Sequence, residues 1–213
     1  MKHKTLLIGL LACAGAVVGC RTASDNRDFV IQRENDNMYG VVSQPNGKVI
    51  LLARFKNIEP LNGFFKVVNA GNYVGVYDGK GKCVLPCSFS SVNIYNNQFL
   101  VAQNRKTGLY DLKGKNIIPC EYNRIESFNG FFKVYRNSMQ GIFSEDGRMI
   151  VPCEYDGINF ESNHFIVSRR WKYGVISTKG KVVAPCEYDK LKNGGYGSFT
   201  AVKDNKSYQI LLD

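Results

Sequence analysis

Three acids, five thiols and one aromatic-basic cluster are the side chains whose spacing invites a chemical reading. Glu121, Glu154 and Glu187 follow one another at steps of 33 residues, each inside a Pro-Cys-Glu-Tyr tetrapeptide. Two carboxylates flanking one bond are the apparatus of glycoside hydrolysis. Acids that recur once per unit travel with a scaffold instead, which suits a solvent-facing or turn-capping role. Cys87, Cys120, Cys153 and Cys186 share one repeated position, and Cys83 is the fifth thiol beyond residue 20. An odd number cannot all pair internally. Copies of one position three strands apart also exceed the roughly 4.4–6.8 Å between α-carbons that a disulfide needs. The expected state is small buried thiols, each packing under the aromatic that follows it. Cys-x-x-Cys pairs are missing and His164 is the sole histidine after His3, so no metal site is expected. His164 itself reads as a structural loop residue. The sequence holds no nucleophile elbow, phosphate loop or dinucleotide fingerprint, so neither catalytic residues nor a cofactor are expected. The remaining candidate is Arg169-Arg170-Trp171-Lys172-Tyr173, with the only Trp of the chain among three cations at a turn between units. Arg169, Arg170, Trp171 and Tyr173 are the candidate ligand-binding residues, because rings stack on sugars or bases and guanidinium groups pair with phosphate or carboxylate. The bland alternative is an aromatic shifted out of its usual slot among solvated cations.

These residues sit on a repeated frame. Asn-Gly-Phe-Phe-Lys-Val occurs at 62–67 and again at 129–134. Turn glycines fall at Gly47, Gly81, Gly114, Gly147 and Gly180, and a second series runs Gly40, Gly75, Gly108, Gly141 and Gly174. An aromatic follows each turn glycine by eight residues (Phe55, Phe89, Tyr122, Tyr155, Tyr188), and an aliphatic comes three later (Ile58, Val92, Ile125, Ile158, Leu191). A period near 33 also occurs in helical arrays. Here the apolar residues lack a 3.6-residue spacing, and glycines break the longer stretches. Val182-Val183-Ala184 and Gly174-Val175-Ile176-Ser177 are short and β-branched, and Thr178-Lys179-Gly180 between them has the form of a hairpin turn. Proline is expected to end the second strand, since it cannot donate to a ladder. A third strand follows at 131–135, 165–168 or 199–202. The fold class is therefore all-β, a tandem array of about five three-stranded antiparallel meanders. Residues 28–34 form a third strand without its unit, and 207–212 a first strand without successors. An open β-superhelix and a propeller-like ring both fit; the end fragments do not sum to one unit, which favours the open form.

The first twenty residues belong to targeting. Lys2, His3 and Lys4 precede an apolar run from Thr5 to Val18, which is shorter than the roughly 20 residues of a membrane span. The run ends Val17-Val18-Gly19-Cys20 and resembles the lipobox of bacterial lipoproteins. That resemblance implies cleavage after Gly19, lipid attachment at Cys20 and stable anchoring by more than one chain. The expected organisation is a signal peptide over 1–19, a lipidated tether over 20–28 and the repeat domain over 29–213. Loss of Lys2 and Lys4 takes the net charge of +10 to +8. A positive surface favours acidic partners, but the charge is spread along the chain rather than gathered in a run. Hydrophobic content of 44% excludes a disordered chain.

The repeat resembles the WG repeat of bacterial proteins: Tyr173-Gly174-Val175, Gly180-Lys181, Val182-Val183, Pro185 and Tyr188-Asp189 match, as do Tyr155-Asp156 and Tyr39-Gly40. The family's Trp is replaced by Tyr39, Val74, Thr107, Gln140 and Tyr173, and its second Pro by Cys87, Cys120, Cys153 and Cys186. The resemblance covers roughly residues 29 to 213 and implies repeat architecture and binding, not a defined chemistry. The expected function is a non-enzymatic cell-envelope scaffold for protein binding, on the periplasmic or surface side of a bacterial membrane. Polysaccharide or cell-wall glycan binding is the alternative, with a hydrolase behind it. The expected partners are the membrane through the lipid anchor and a protein or anionic glycan, with no specific nucleic acid.

Overall fold

The computed structural model describes residues 17–19, 29–34, 36–44, 46–195 and 197–212. Cys20, the expected lipid-attachment residue, and the remainder of the expected signal peptide and tether lie outside the described residues. The chain divides into two compact units, 1–89 and 90–213.

The N-terminal unit holds two four-stranded antiparallel meanders. The first consists of β1 (Val17–Gly19), β2 (Phe29–Arg33), β3 (Tyr39–Ser43) and β4 (Val49–Phe55); the second of β5 (Asn57–Leu61), β6 (Phe64–Val68), β7 (Val74–Asp78) and β8 (Cys83–Phe89). The C-terminal unit holds four more. They are β9 (Ser91–Tyr95), β10 (Gln98–Gln103), β11 (Lys106–Tyr110) and β12 (Asn116–Tyr122); β13 (Arg124–Phe128), β14 (Phe131–Arg136), β15 (Met139–Ser144) and β16 (Met149–Tyr155); β17 (Gly157–Glu161), β18 (His164–Arg169), β19 (Lys172–Ser177) and β20 (Val182–Tyr188); and the three-stranded β21 (Lys190–Gly195), β22 (Ser198–Lys203) and β23 (Lys206–Leu211).

The tandem antiparallel meander is as the repeat predicts, but five sheets carry four strands where three were expected. In four of these sheets the extra strand is the first, over the segment expected to be a bend; in the remaining one it is β1, inside the expected signal peptide. Proline does not end the preceding strand either: β20 runs through Pro185 to Tyr188. The reason is geometric. β8, β12, β16 and β20 are each the last strand of their sheet, where a missing N–H leaves no ladder bond broken. The strand also bulges at that point. Tyr173 faces Tyr188 and Val175 faces Ala184, so Pro185, Cys186 and Glu187 all stand opposite Gly174. A Cβ on Gly174 would lie 2.7 Å from the Ala184 carbonyl oxygen and 2.9 Å from the Cys186 nitrogen. Gly40, Gly75, Gly108 and Gly141 meet the same bulge. The glycine series and the Pro-Cys series are thus two halves of one device.

One residue then carries the chain from each sheet to the next. Within the units, the N–H groups of Lys56, Asn123, Asp156 and Asp189 donate to Val68, Tyr135, Ser168 and Val202 of the following sheet. Three turn glycines, Gly81, Gly147 and Gly180, lie close against the preceding sheet: Gly147, at φ +90, brings its Cα so near that a Cβ would stand 2.5 Å from the Ile117 oxygen. Within each unit, neighbouring sheets enclose cores of their own. Ile31, Val41, Phe55, Ile58, Phe65 and Val67 fill one in the N-terminal unit. In the C-terminal unit, Tyr122, Ile125, Phe132 and Phe143 fill one, Tyr155, Ile158, Phe165 and Ile176 the next, and Val175, Phe199, Ala201 and Ile210 the last. The aromatic and aliphatic series of the sequence supply these contacts. Each unit therefore buries its apolar face only against its neighbours.

Candidate functional site

The β18–β19 hairpin carries the aromatic-basic cluster. Its two-residue loop is Arg170-Trp171, with φ of 52° and 66°. Two successive left-handed residues form the turn whose twist matches a β-hairpin, and Asn, Asp and Gly are its natural occupants. The equivalent turns of the same unit obey that preference more closely, with Asn104-Arg105, Asn137-Ser138 and Asp204-Asn205. A bulky side chain in this region costs roughly 1–2 kcal/mol per residue. Packing does not offset that cost, because Trp171 is 92% exposed.

The neighbouring cations are largely committed. Arg169 reaches Glu154 at 3.4 Å and lies 5.8 Å from the Tyr155 ring centre. Lys172 pairs with Asp189 at 2.5 Å, and that contact holds the Asp189 carboxyl below the usual carboxylate range. The Arg170 backbone N–H donates to Asp156 at 2.7 Å and fixes the turn. Among the described residues none pairs with the Arg170 guanidinium. Tyr173 is half-exposed opposite Tyr188. The hairpin thus brings Arg169, Arg170, Trp171 and Tyr173 to one tip, but what it offers a ligand is one indole and one guanidinium.

The repeated acids have a different job. Glu121 pairs with Arg136 at 3.7 Å, Glu154 with Arg169 at 3.4 Å and Glu187 with Lys203 at 2.9 Å, each joining the last strand of one sheet to the second strand of the next. They are clasps between consecutive repeats. His164 is buried, and its Nδ1–H donates to the Ser162 carbonyl at 2.8 Å, since a carbonyl can only accept. Cys87, Cys120, Cys153 and Cys186 are half-buried free thiols, and burial pushes all four above the usual thiol value. They are held as neutral SH groups rather than nucleophilic thiolates. Cys153 packs against the core below Tyr122, and Cys186 against that below Tyr155. Among the described residues no group of three or more His, Cys, Asp or Glu is placed to hold a metal ion.

Sequence reasoning missed a cavity of about 390 Å³ in the N-terminal unit, beside Phe29, Ile50, Pro60 and Phe65. Its one sequence signal is Pro60, where the matching hairpin of the C-terminal unit has Phe160.

This architecture is that of a tandem β-meander repeat protein. Residues 108–138, 141–169 and 173–208 match the family profile for the WG containing repeat. No curated protein matches the chain in sequence. Solved structures with partial likeness include a computationally designed protein, Ika8, at 10% identity and a TM-score of 0.31, covering 93% of this chain and 70% of that one. The WD40 β-propeller domain of Doa1 gives 12% and 0.28, covering 85% and 74%. BamB from Moraxella catarrhalis gives 9% and 0.29, covering 87% and 67%. The overlap is too slight for their arrangement to be transferred.

Proposed function

We propose that this protein is a non-enzymatic, membrane-anchored lipoprotein of the bacterial envelope that serves as a repeat scaffold for protein binding, with Arg170 and Trp171 as its principal contact. The observation that carries this reading is Trp171, 92% exposed in a left-handed turn position that its repeats give to Ser, Arg or Asn. An outlier that packing does not demand points to selection for what it touches. Trp and Arg are the residue types most enriched at interface hot spots. The pairing of Arg169 and Lys172 with acids leaves little charge for a polyanion. The repeated carboxylates are engaged in clasps, which supports a scaffold over a hydrolase.

Replacing Arg170-Trp171 by Asn-Gly tests the contact. The variant gains about 1–2 kcal/mol of stability by removing two strained residues. It also loses a protein partner that the wild-type chain retains from envelope extract. Unchanged retention sinks the tip as the contact. Loss instead of a specific signal on a glycan array transfers the same residues to a sugar ligand. The anchor rests on the lipobox, and processing after Gly19 would remove β1 and leave β2 as an edge strand. Cys20→Ser is expected to abolish labelling by an alkyne fatty acid; persistent labelling overturns the lipoprotein assignment.

A further inference from the structure

The cavity of the N-terminal unit lies between its two sheets, and the repeat itself shows how it was made. Phe29 and Phe131 are each the first residue of the second strand of a sheet, facing Ser43 and Ser144. Each meets a phenylalanine of the next sheet edge-on: Phe29 and Phe65 with centres 4.9 Å apart, Phe131 and Phe165 with centres 5.1 Å apart. In the C-terminal unit a third ring completes the group, with Phe160 standing 5.9 Å from Phe131 and 5.3 Å from Phe165. In the N-terminal unit the residue in that register is Pro60, whose ring is smaller and tied to its own backbone. The space that Phe160 occupies in one niche, with Phe128 6.5 Å from it, is open in the other, where a cavity of about 390 Å³ lies. That volume lies within the roughly 300–1,000 Å³ of small-ligand sites, which are mainly apolar with a few placed polar groups.

The polar groups here are cations. Lys48 and Lys80 line the cavity from the third turns of the two sheets, and both are exposed. At the equivalent place in the C-terminal unit, Arg148 donates to the Lys179 carbonyl at 3.3 Å, so that turn pair is closed on itself. Among the described residues neither the Lys48 nor the Lys80 ammonium has a partner.

We propose that this cavity binds a single acyl or alkyl chain carrying an anionic head group. Phe29, Ile50, Pro60 and Phe65 take the hydrocarbon, and Lys48 and Lys80 take the carboxylate or phosphate. Charge complementarity selects the head, and the apolar walls select the body. The proposal is independent of the hairpin tip, which belongs to the other unit.

Calorimetric titration of the full chain with dodecanoate, decanoate, octanoate, dodecyl phosphate and dodecanol tests it. One molecule of dodecanoate is expected to bind per chain, with affinity falling about fourfold for each methylene removed. Stronger binding of dodecyl phosphate would identify a phosphate-headed lipid as the source, and stronger binding of dodecanoate a free fatty acid. Lys48→Gln with Lys80→Gln should weaken both anions at least tenfold and leave dodecanol unchanged. Pro60→Phe installs the ring that the other unit already uses and should abolish binding without lowering the unfolding temperature. Pro60→Leu is a milder plug should the larger ring misfold, and it should weaken dodecanoate at least tenfold. Absence of dodecanoate binding overturns the proposal, and so does binding unaltered by a folded Pro60 variant.

Discussion

In the N-terminal unit Pro60 faces Phe65 across the β5–β6 hairpin; in the C-terminal unit Phe160 faces Phe165 in the same register of β17–β18. The two positions share an edge-on phenylalanine pair, an isoleucine second in the last strand of the preceding sheet, and a turn of the following sheet against it. One niche is filled and the other is hollow. The second strands differ in the same manner. Lys66 pairs with half-exposed Glu59 at 2.6 Å, while Lys133, at the matching position, is buried, donates to the Ile158 carbonyl at 2.6 Å and lies 3.7 Å from the Phe128 ring centre. The frame of the repeat tolerates such exchanges because its glycines, bulges and one-residue links set the backbone independently of what fills each niche. Function can therefore reside in departures from the repeat.

The largest expected effect sharpens this contrast. Phe165 is fully buried with rings on two sides, and Phe165→Ala should cost about 3–5 kcal/mol. Phe65 borders the cavity and has already lost neighbours on that side. Phe65→Ala should cost about 1 kcal/mol less, read as the midpoint shift in urea unfolding. Equal costs would mean that the two niches are equally filled.

Next in size is the device the units share. Gly75→Ala and Gly174→Ala each drive a Cβ to within 3 Å of the bulged strand, 2.7 Å from the Cys87 sulfur in one and 2.7 Å from the Ala184 oxygen in the other. Overpacking of this kind costs about 1–3 kcal/mol. The two costs should be similar, since a Cβ on Gly75 also meets the Leu85 oxygen and the Cys87 nitrogen at 2.9 Å, backbone atoms that cannot rotate away. Tyr208 occupies the position of Gly174 in the β21–β23 sheet, which has three strands among the described residues. A side chain there takes the place of a bulged neighbour and packs on Tyr188, 6.2 Å between ring centres.

The sequence was most legible where one residue type recurs. The turn glycines, the core aromatics and the meander order can be read from spacing alone, because each copy answers to the same steric demand. The first strand of each sheet was not legible. Asn57–Leu61 and Gly157–Glu161 are five residues long and mix polar residues with a Pro or a Gly, so they look like bends, and their strand state comes from pairing with the next strand. Proline misled because the rule against it holds for interior strands and these are edges. At the hairpin tip the residues were evident but not their strain: positive φ at Arg170 and Trp171 follows from a two-residue loop whose length only the pairing fixes. The cavity was hidden because it is the absence of a ring, visible only once the two hairpins are aligned residue by residue.

The smallest effect separates the two lysines by pH. Burial is the main cause that lowers the Lys133 ammonium below its ordinary value of 10.5. Between the lowered folded value and the unfolded one, the unfolded chain binds more protons, so this group adds stability as pH rises through that window. The raised tyrosines Tyr122, Tyr135 and Tyr155, shifted chiefly by burial, act in the opposite sense as pH passes 10, so the informative quantity is wild type against Lys133→Met. That difference should move toward the wild type on the way up to pH 10. Lys66 acts at the other end of the scale. Its hydrogen bond to Glu59 lowers that carboxyl below 4.5, so the pair's contribution is present above the unfolded value and fades as pH falls through the folded one. With Glu59 half-exposed, the effect of Lys66→Met in acid should stay below about 1 kcal/mol. No alkaline response from Lys133→Met would show that the two positions are not the buried and solvated versions of one site.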